Sequence, residues 1–349
     1  MINKVLFLME RYCDADPKCG PTNSEHLVVS AIKSTGLVKK TKRFYFDVLY
    51  QQLGRNEMAE LLLEDCLVFN PDLIIYTPLG GDLGKRLNPP RELISKILNE
   101  LKIKIFLILW DAKPGRGAEI EWFPYTSYLG APDSLSAFLS YRESFHNVLP
   151  MYSAVDPNSY YNKNLVRDID VSFVGSIDPN DVRWPLRNES IRFLRDNGIN
   201  IFVGGGQRSN KRLSVGEFSD ILNRSKISLN FCRDGNGLPI LKSRVFEITS
   251  CGALMMEDEG TDTQKLFEPN IDFVVFKSKE ELLSLVRYYL KNEELRQYIA
   301  ISGCQEATDI YNAKNMWRYI FEKIGLDIPE HLKSNLNYIK HKSILDRLE

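Results

Sequence analysis

The sequence predicts an α/β protein of two doubly wound domains, and three observations carry that prediction. Short β-branched or aromatic runs alternate along the chain with longer amphipathic stretches, the pattern of βαβ units that build a parallel sheet covered on both faces. The 349 residues exceed the roughly 250–300 at which a single hydrophobic core stops growing. Apolar residues make up 44% and charged residues 26%, the balance of a chain that buries large cores.

The apolar run at residues 4–9 meets Glu10 and Arg11 at once, too soon for a signal-peptide core or a membrane span, and reads as the first strand. Further strands are expected at 41–48, 72–77, 104–110 and 127–130, with helices over 24–34, 55–69 and 91–101; Pro89 and Pro90 mark the entry to the last helix. A polar, tyrosine-rich connector at 156–164 reads as a linker and sets the domain boundary at 158/159. Beyond it, strands are expected at 170–175, 199–204, 227–231, 253–257 and 273–276. Helices over 187–197, 215–224, 242–250, 279–290 and 293–307 carry the second domain to residue 325. Residues 326–349 read as a helical tail packing back across the domains; contact with a membrane surface is the less favoured reading of its Leu, Ile, Lys and Arg mixture.

Charge and cysteine content exclude several functions. Lys plus Arg number 45 against 46 Asp plus Glu, so no global basic field draws nucleic acid, and any anion site must be local. The six cysteines are dispersed without a CxxC pair, which argues against structural zinc and fits reduced thiols in the cytoplasm.

The segment 236–252, NGLPILKSRVFEITSCG, sets a glycine-containing turn before an amphipathic helix bearing Lys242, Arg244 and Glu247. Free amides and the positive dipole end of a helix start favour a phosphate, and the two cations add hydrogen-bonding partners for a diphosphate. Glu247, one turn on, is expected to accept hydrogen bonds from ribose hydroxyls. Gly175 and Ser176 end the first strand of the second domain, and Gly205 with the nearby Arg208 ends the next; such turns let backbone amides approach a ligand or simply join strand to helix. Neither matches a GxGxxG dinucleotide fingerprint.

Ligands of an open α/β sheet bind at the C-terminal ends of its strands. There the first domain offers Glu10 after its first strand, Gly80-Gly81-Asp82 after its third and Asp111 after its fourth. Glu10 and Asp111 are the candidate catalytic carboxylates, with a strand-end cap or ion pair as the alternative role. His26 reads as lining a helix start that Asn23 or Ser24 caps. Two Asp-x-Asp triplets, Asp14-Ala15-Asp16 and Asp168-Ile169-Asp170, have the residue types that ligate a divalent cation, but no metal site is expected at either.

The run Arg244-Val-Phe-Glu-Ile-Thr-Ser-Cys-Gly252, with Leu266-Phe267, Phe273-Val-Val-Phe276, the Lys279-Glu-Glu-Leu282 helix and, upstream, Phe173-Val-Gly-Ser176, resembles the GT-B glycosyltransferases of the spore maturation protein CgeB-like type. The resemblance spans roughly residues 104–322 and Trp110-Asp111 is similar to the family as well. It implies two Rossmann-like domains facing a cleft, a nucleotide-sugar donor such as a UDP- or GDP-sugar in the second domain, and metal-independent transfer without a cofactor. The related retaining enzymes carry two glutamates eight positions apart; eight before Glu247 stands Pro239, which leaves the stereochemical outcome open. The acceptor is expected in the first domain and its class, whether glycan, lipid, protein or small molecule, is open. Two alternatives stand beside transfer: a nucleotide-sugar-binding protein that does not transfer, and a sugar-nucleotide epimerase, which needs carboxylates and a histidine near the anomeric centre where the chain has four histidines in all.

Overall fold

The structure, a computed structural model, describes residues 2–110, 120–175, 185–205, 213–233 and 237–348. Two compact units emerge: Met1–Ser153 together with Ala313–Glu349, and Ala154–Asn312. Composition placed the boundary at 158/159 and the end of the second domain at 325; the chain instead leaves the first unit five residues earlier and returns to it at Ala313.

The first unit holds strands β1 (Ile2–Met9), β2 (Val38–Tyr45), β3 (Leu73–Thr77), β4 (Lys104–Ile108), β5 (Tyr128–Gly130) and β6 (Val148–Leu149). They form one six-stranded sheet in the order β2-β1-β3-β4-β5-β6, and every pairing is parallel. Burial from both faces explains the near-continuous apolar run Val5–Met9, all of it buried. The second unit holds β7 (Ile169–Val174), β8 (Ile201–Gly204), β9 (Ser225–Asn230), β10 (Leu254–Asp258) and β11 (Val274–Phe276) in a parallel sheet of order β11-β10-β9-β7-β8.

Helices flank each sheet much as periodicity predicts: Arg55–Phe69 and Val215–Arg224 coincide with the expected ranges, and the latter starts with a full capping box between Ser214 and Glu217. The expected strand 41–48 stops at Tyr45, because Phe46, Leu49 and Tyr50 are spaced to lay one helical face on the core and Phe46–Leu53 is accordingly a helix. Short helices at Gly81–Leu87 and Leu135–Arg142, and the strand Val148–Leu149, carry too few periodic residues to be read in advance. The helix expected over 24–34 is π-helical across Glu25–Ser30 before it becomes α-helical.

The helices Ala313–Lys323 and Leu336–Asp346 count with the first unit because their aromatics are buried there. Trp317 stacks edge-on against Phe106 of β4 at 6.2 Å, Lys104 donates to the Ile324 carbonyl at 2.7 Å, and the Tyr152 hydroxyl bonds the Nε2 of buried His341 at 2.9 Å. Among the described residues, no helix is long and apolar enough to cross a membrane.

Candidate functional site

Both sheets carry the strand order in which the first strand lies between the second and the third, so the chain winds away from it in opposite directions. The crevice outside the C-terminal ends of the first and third strands is where such sheets bind ligands. In the second unit those ends are Val174-Gly175 of β7 and Asn230 of β9.

Arg244 joins the two. Its Nη1 donates to the Val174 carbonyl at 2.9 Å and its Nε to Asn230 Oδ1 at 3.1 Å, while the guanidinium carbon lies 5.2 Å from the centre of the Phe173 ring. Burial holds the guanidinium below its ordinary pKa, against which the nearby Cys232, Glu247, Glu257 and Asp258 act; an arginine so placed still carries its charge. Gly175 is required by this arrangement. A Cβ there would stand 2.2 Å from Arg244 Nη1 and 2.8 Å from the Phe173 ring, so any side chain displaces the cation. Gly205, at φ +79°, packs directly against the Gly175 backbone, and the Gly175 amide donates to the Gly204 carbonyl at 2.9 Å. Ser176 and Arg208 lie outside the described residues.

The helix that bears the cation begins at Arg244, two residues later than expected, and ends at Ser250. It offers fewer free amides than its sequence promises. Val245 donates to the Lys242 carbonyl, and Phe246 and Glu247 both donate to that of Ser243, so most of the first turn closes on itself. The cationic group at this edge is therefore the side chain of Arg244 rather than the helix start. Lys242 is partly exposed just before the helix, and Glu247 is 3% exposed in its first turn.

Beneath Arg244 lies a buried polar layer that sequence reasoning missed. Asn230 Nδ2 donates to Glu257 Oε2 at 2.7 Å and to Cys232 Sγ at 3.1 Å, and Thr261 Oγ1 donates to the other Glu257 oxygen. Burial raises the Glu257 carboxyl to about 7 and Thr261 partly offsets it. Asp258, also raised by burial, accepts from the Cys232 amide at 2.8 Å and faces Arg233. The available signal was the acid pair Glu257-Asp258 closing an otherwise apolar strand at the ligand-binding edge.

The equivalent crevice of the first unit, beyond β1 and β3, presents Glu10. Thr22 Oγ1 donates to its Oε1 at 2.9 Å, whereas Oε2 is buried without a hydrogen-bond partner among the described residues. Burial first, then the Asp47 and Asp14 charges, raise its carboxyl to about 7 against the opposing pull of Thr22. Asp47, 1% exposed, fixes the turn after β1 by accepting from the Arg11 and Tyr12 amides at 2.7 and 3.2 Å. Trp110 Nε1 donates to Ser24 Oγ at 3.0 Å, which ties the end of β4 to the Thr22–Ser24 loop beside Glu10; Asp111 itself lies outside the described residues. A hollow of about 300 Å³ opens at this edge, lined by Asp14, Ala15, Tyr50, Gln51, Arg86 and Leu87.

The remaining candidates are accounted for structurally. Asp82 pairs with Lys85 on the surface, and His26 sits in the first turn of the π-helix. Asp168 is paired with Arg224 and Asp170 with Lys226, while Asp16 caps a short turn by accepting from the Lys18 amide. Among the described residues, no group of three or more His, Cys, Asp or Glu is placed to hold a metal ion.

Comparison with known proteins locates this architecture. Residues 162–322 match the family model described as glycosyl transferase-like. No curated protein matches the chain. Among solved structures, the chain is similar to Anabaena HepE in complex with UDP and glucose, with a TM-score of 0.63 at 11% identity over 93% of this chain and 99% of that one. It is also similar to sucrose-phosphate synthase from Thermosynechococcus elongatus, with a TM-score of 0.58 at 9% identity over 92% of this chain and 100% of that one. A putative UDP-N-acetylglucosamine 2-epimerase from Listeria monocytogenes gives 0.51 at 11% identity over 94% and 99%. The fold is that of the GT-B glycosyltransferases, two parallel-sheet α/β domains.

Proposed function

We propose that this chain is a glycosyltransferase of the CgeB-like type that moves a sugar from a nucleotide-sugar donor, bound at the β7/β9 crevice, to an acceptor held by the first unit. The observation that carries the reading is Arg244, a cation bridged between the two strand ends where a ligand of this sheet docks. The match of residues 162–322 to a glycosyl transferase-like family and the UDP in the similar Anabaena structure support the same ligand chemistry.

Transfer breaks the bond between the anomeric carbon and the diphosphate, and charge grows on the departing oxygen. A preorganised guanidinium stabilises that charge more than the ground state's, which lowers the barrier. Arg244 takes this role, with Lys242 as a second cation and Glu247 as the acceptor for ribose hydroxyls. Gly175, Ser176, Gly205 and Arg208 complete the donor pocket. In the first unit Glu10 takes the acceptor's proton, with Asp111 as the second candidate for that role; a carboxyl raised to about 7 is matched to the task near neutral pH. The reaction as proposed needs neither metal nor cofactor and proceeds in the cytoplasm.

Fold alone does not separate transfer from epimerisation, since a putative epimerase has the same architecture; the family match favours transfer. The test is calorimetric binding of UDP, GDP and ADP, followed by release of the nucleoside diphosphate from the corresponding sugars and NMR of the products. Binding of one of them and its weakening in Arg244→Ala support the reading. Failure of wild type to bind any, or conversion of the donor into its epimer without diphosphate release, overturns it.

A further inference from the structure

Arg244 does not stand alone at its crevice. We infer that Asn230 and Glu257 are positioning residues, which aim the Arg244 guanidinium at the diphosphate through a buried amide relay; the inference rests on the donor-site reading above.

Asn230 is 0% exposed at the end of β9, and both of its amide hydrogens and its oxygen are engaged. Both hydrogens are donated, to Glu257 Oε2 at 2.7 Å and Cys232 Sγ at 3.1 Å, and Oδ1 accepts from Arg244 Nε at 3.1 Å. A flipped amide would set its hydrogens against the Arg244 guanidinium, which can only donate, so the cation fixes the orientation. Glu257 is itself 0% exposed and held on its other oxygen by Thr261. The chain Thr261, Glu257, Asn230, Arg244 therefore transmits direction from the end of β10 to the crevice.

The choice of a neutral link has a physical consequence. A carboxylate in direct contact with the guanidinium would hold it equally well but would neutralise much of the charge a diphosphate needs. An intervening amide keeps the directional hydrogen bond and moves the negative charge one residue further off, where its attraction is weaker. The other faces of the guanidinium are bounded by the Val174 carbonyl, the Phe173 ring and the missing side chain of Gly175, so loss of the Asn230 acceptor frees the restraint that orients Nε among the described residues. None of these groups sits on the short helix with Arg244.

A double-mutant cycle on UDP affinity, read by calorimetry, tests the relay. Arg244→Ala is expected to weaken UDP about 100-fold and Asn230→Ala about 10-fold, the latter corresponding to loss of one hydrogen bond to a charged group. If Asn230 acts through Arg244, adding Asn230→Ala to Arg244→Ala weakens UDP no further. Glu257→Gln still accepts from Asn230 and stays within about threefold of wild type, whereas Glu257→Leu falls about 10-fold, again only while Arg244 is present. Should Asn230→Ala not fold, Asn230→Ser, which keeps a small polar group in the site, carries the cycle. Additive losses in the double variants overturn the inference while leaving the donor site intact; absence of UDP, GDP and ADP binding in wild type overturns the donor site itself.

Discussion

The crevice of the first unit and that of the second are built on the same strand order and hold opposite charges. In the second, a cation is bridged to both strand ends, underlain by an aromatic ring and oriented by a buried amide. In the first, a carboxylate has one oxygen bonded to Thr22 and the other buried without a partner among the described residues. The comparison teaches that topology supplies the same crevice twice, while the side chains at the strand ends decide whether it presents a cation or a carboxyl group.

Four experiments sharpen or break the contrast, beginning with the largest effect. If the two crevices divide the work, Glu10→Gln lowers diphosphate release from the donor by about 10²–10⁴-fold, the usual contribution of a general base, yet leaves UDP affinity unchanged. A parallel loss of UDP affinity in that variant would show that the crevices are not separable. Gly175→Ala should behave in the opposite way: a Cβ 2.2 Å from Arg244 Nη1 forces the cation aside, and UDP binding weakens about tenfold or more together with a loss of about 1–3 kcal/mol of stability from overpacking. Unaltered UDP affinity in Gly175→Ala would mean the guanidinium is not the anion donor.

Titration separates the crevices next. The Glu10 and Glu257 carboxyls both lose a proton near 4.5 when unfolded and near 7 when folded, chiefly because burial disfavours their charge. The native chain thus holds the extra protons, and stability contributed by these groups falls as pH rises from about 4.5 to 7, then stays level. For fully buried Glu257 the integrated effect is on the order of 3 kcal/mol; the more solvated Glu10 contributes less. Thermal midpoints of wild type and Glu257→Gln followed from pH 5 to 8 should converge at the acid end and separate at the alkaline end, with wild type lower. Parallel curves would sink the assignment. Smallest of all, Asp168→Ala removes only a surface partner of Arg224 and should leave midpoint and UDP affinity where they were, with or without magnesium. A magnesium-dependent loss would revive the Asp-x-Asp reading.

Much of the scaffold is legible in the chain because parallel sheets buried on both faces demand unbroken apolar strands, and Val5–Met9 or the segment around Phe173 could be nothing else. Helices with a clear apolar face, such as Val215–Arg224, declare their own limits through caps. Elements of a few residues, such as Val148–Leu149, are set by neighbours rather than by any local period.

The sequence by itself determined the α/β class, the run of alternating elements, and the clustering of Lys242, Arg244 and Glu247 at one helix start, since local period and spacing along a helix are properties of adjacent residues. Only the tertiary structure decided that Ala313–Glu349 belongs with the first unit, that the helix amides are largely taken, and that Asn230 and Glu257 stand behind Arg244. Asn230 and Glu257 are 27 positions apart and meet because β9 and β10 run side by side in register, a pairing that hydrogen bonds between strands select and no single stretch of chain encodes.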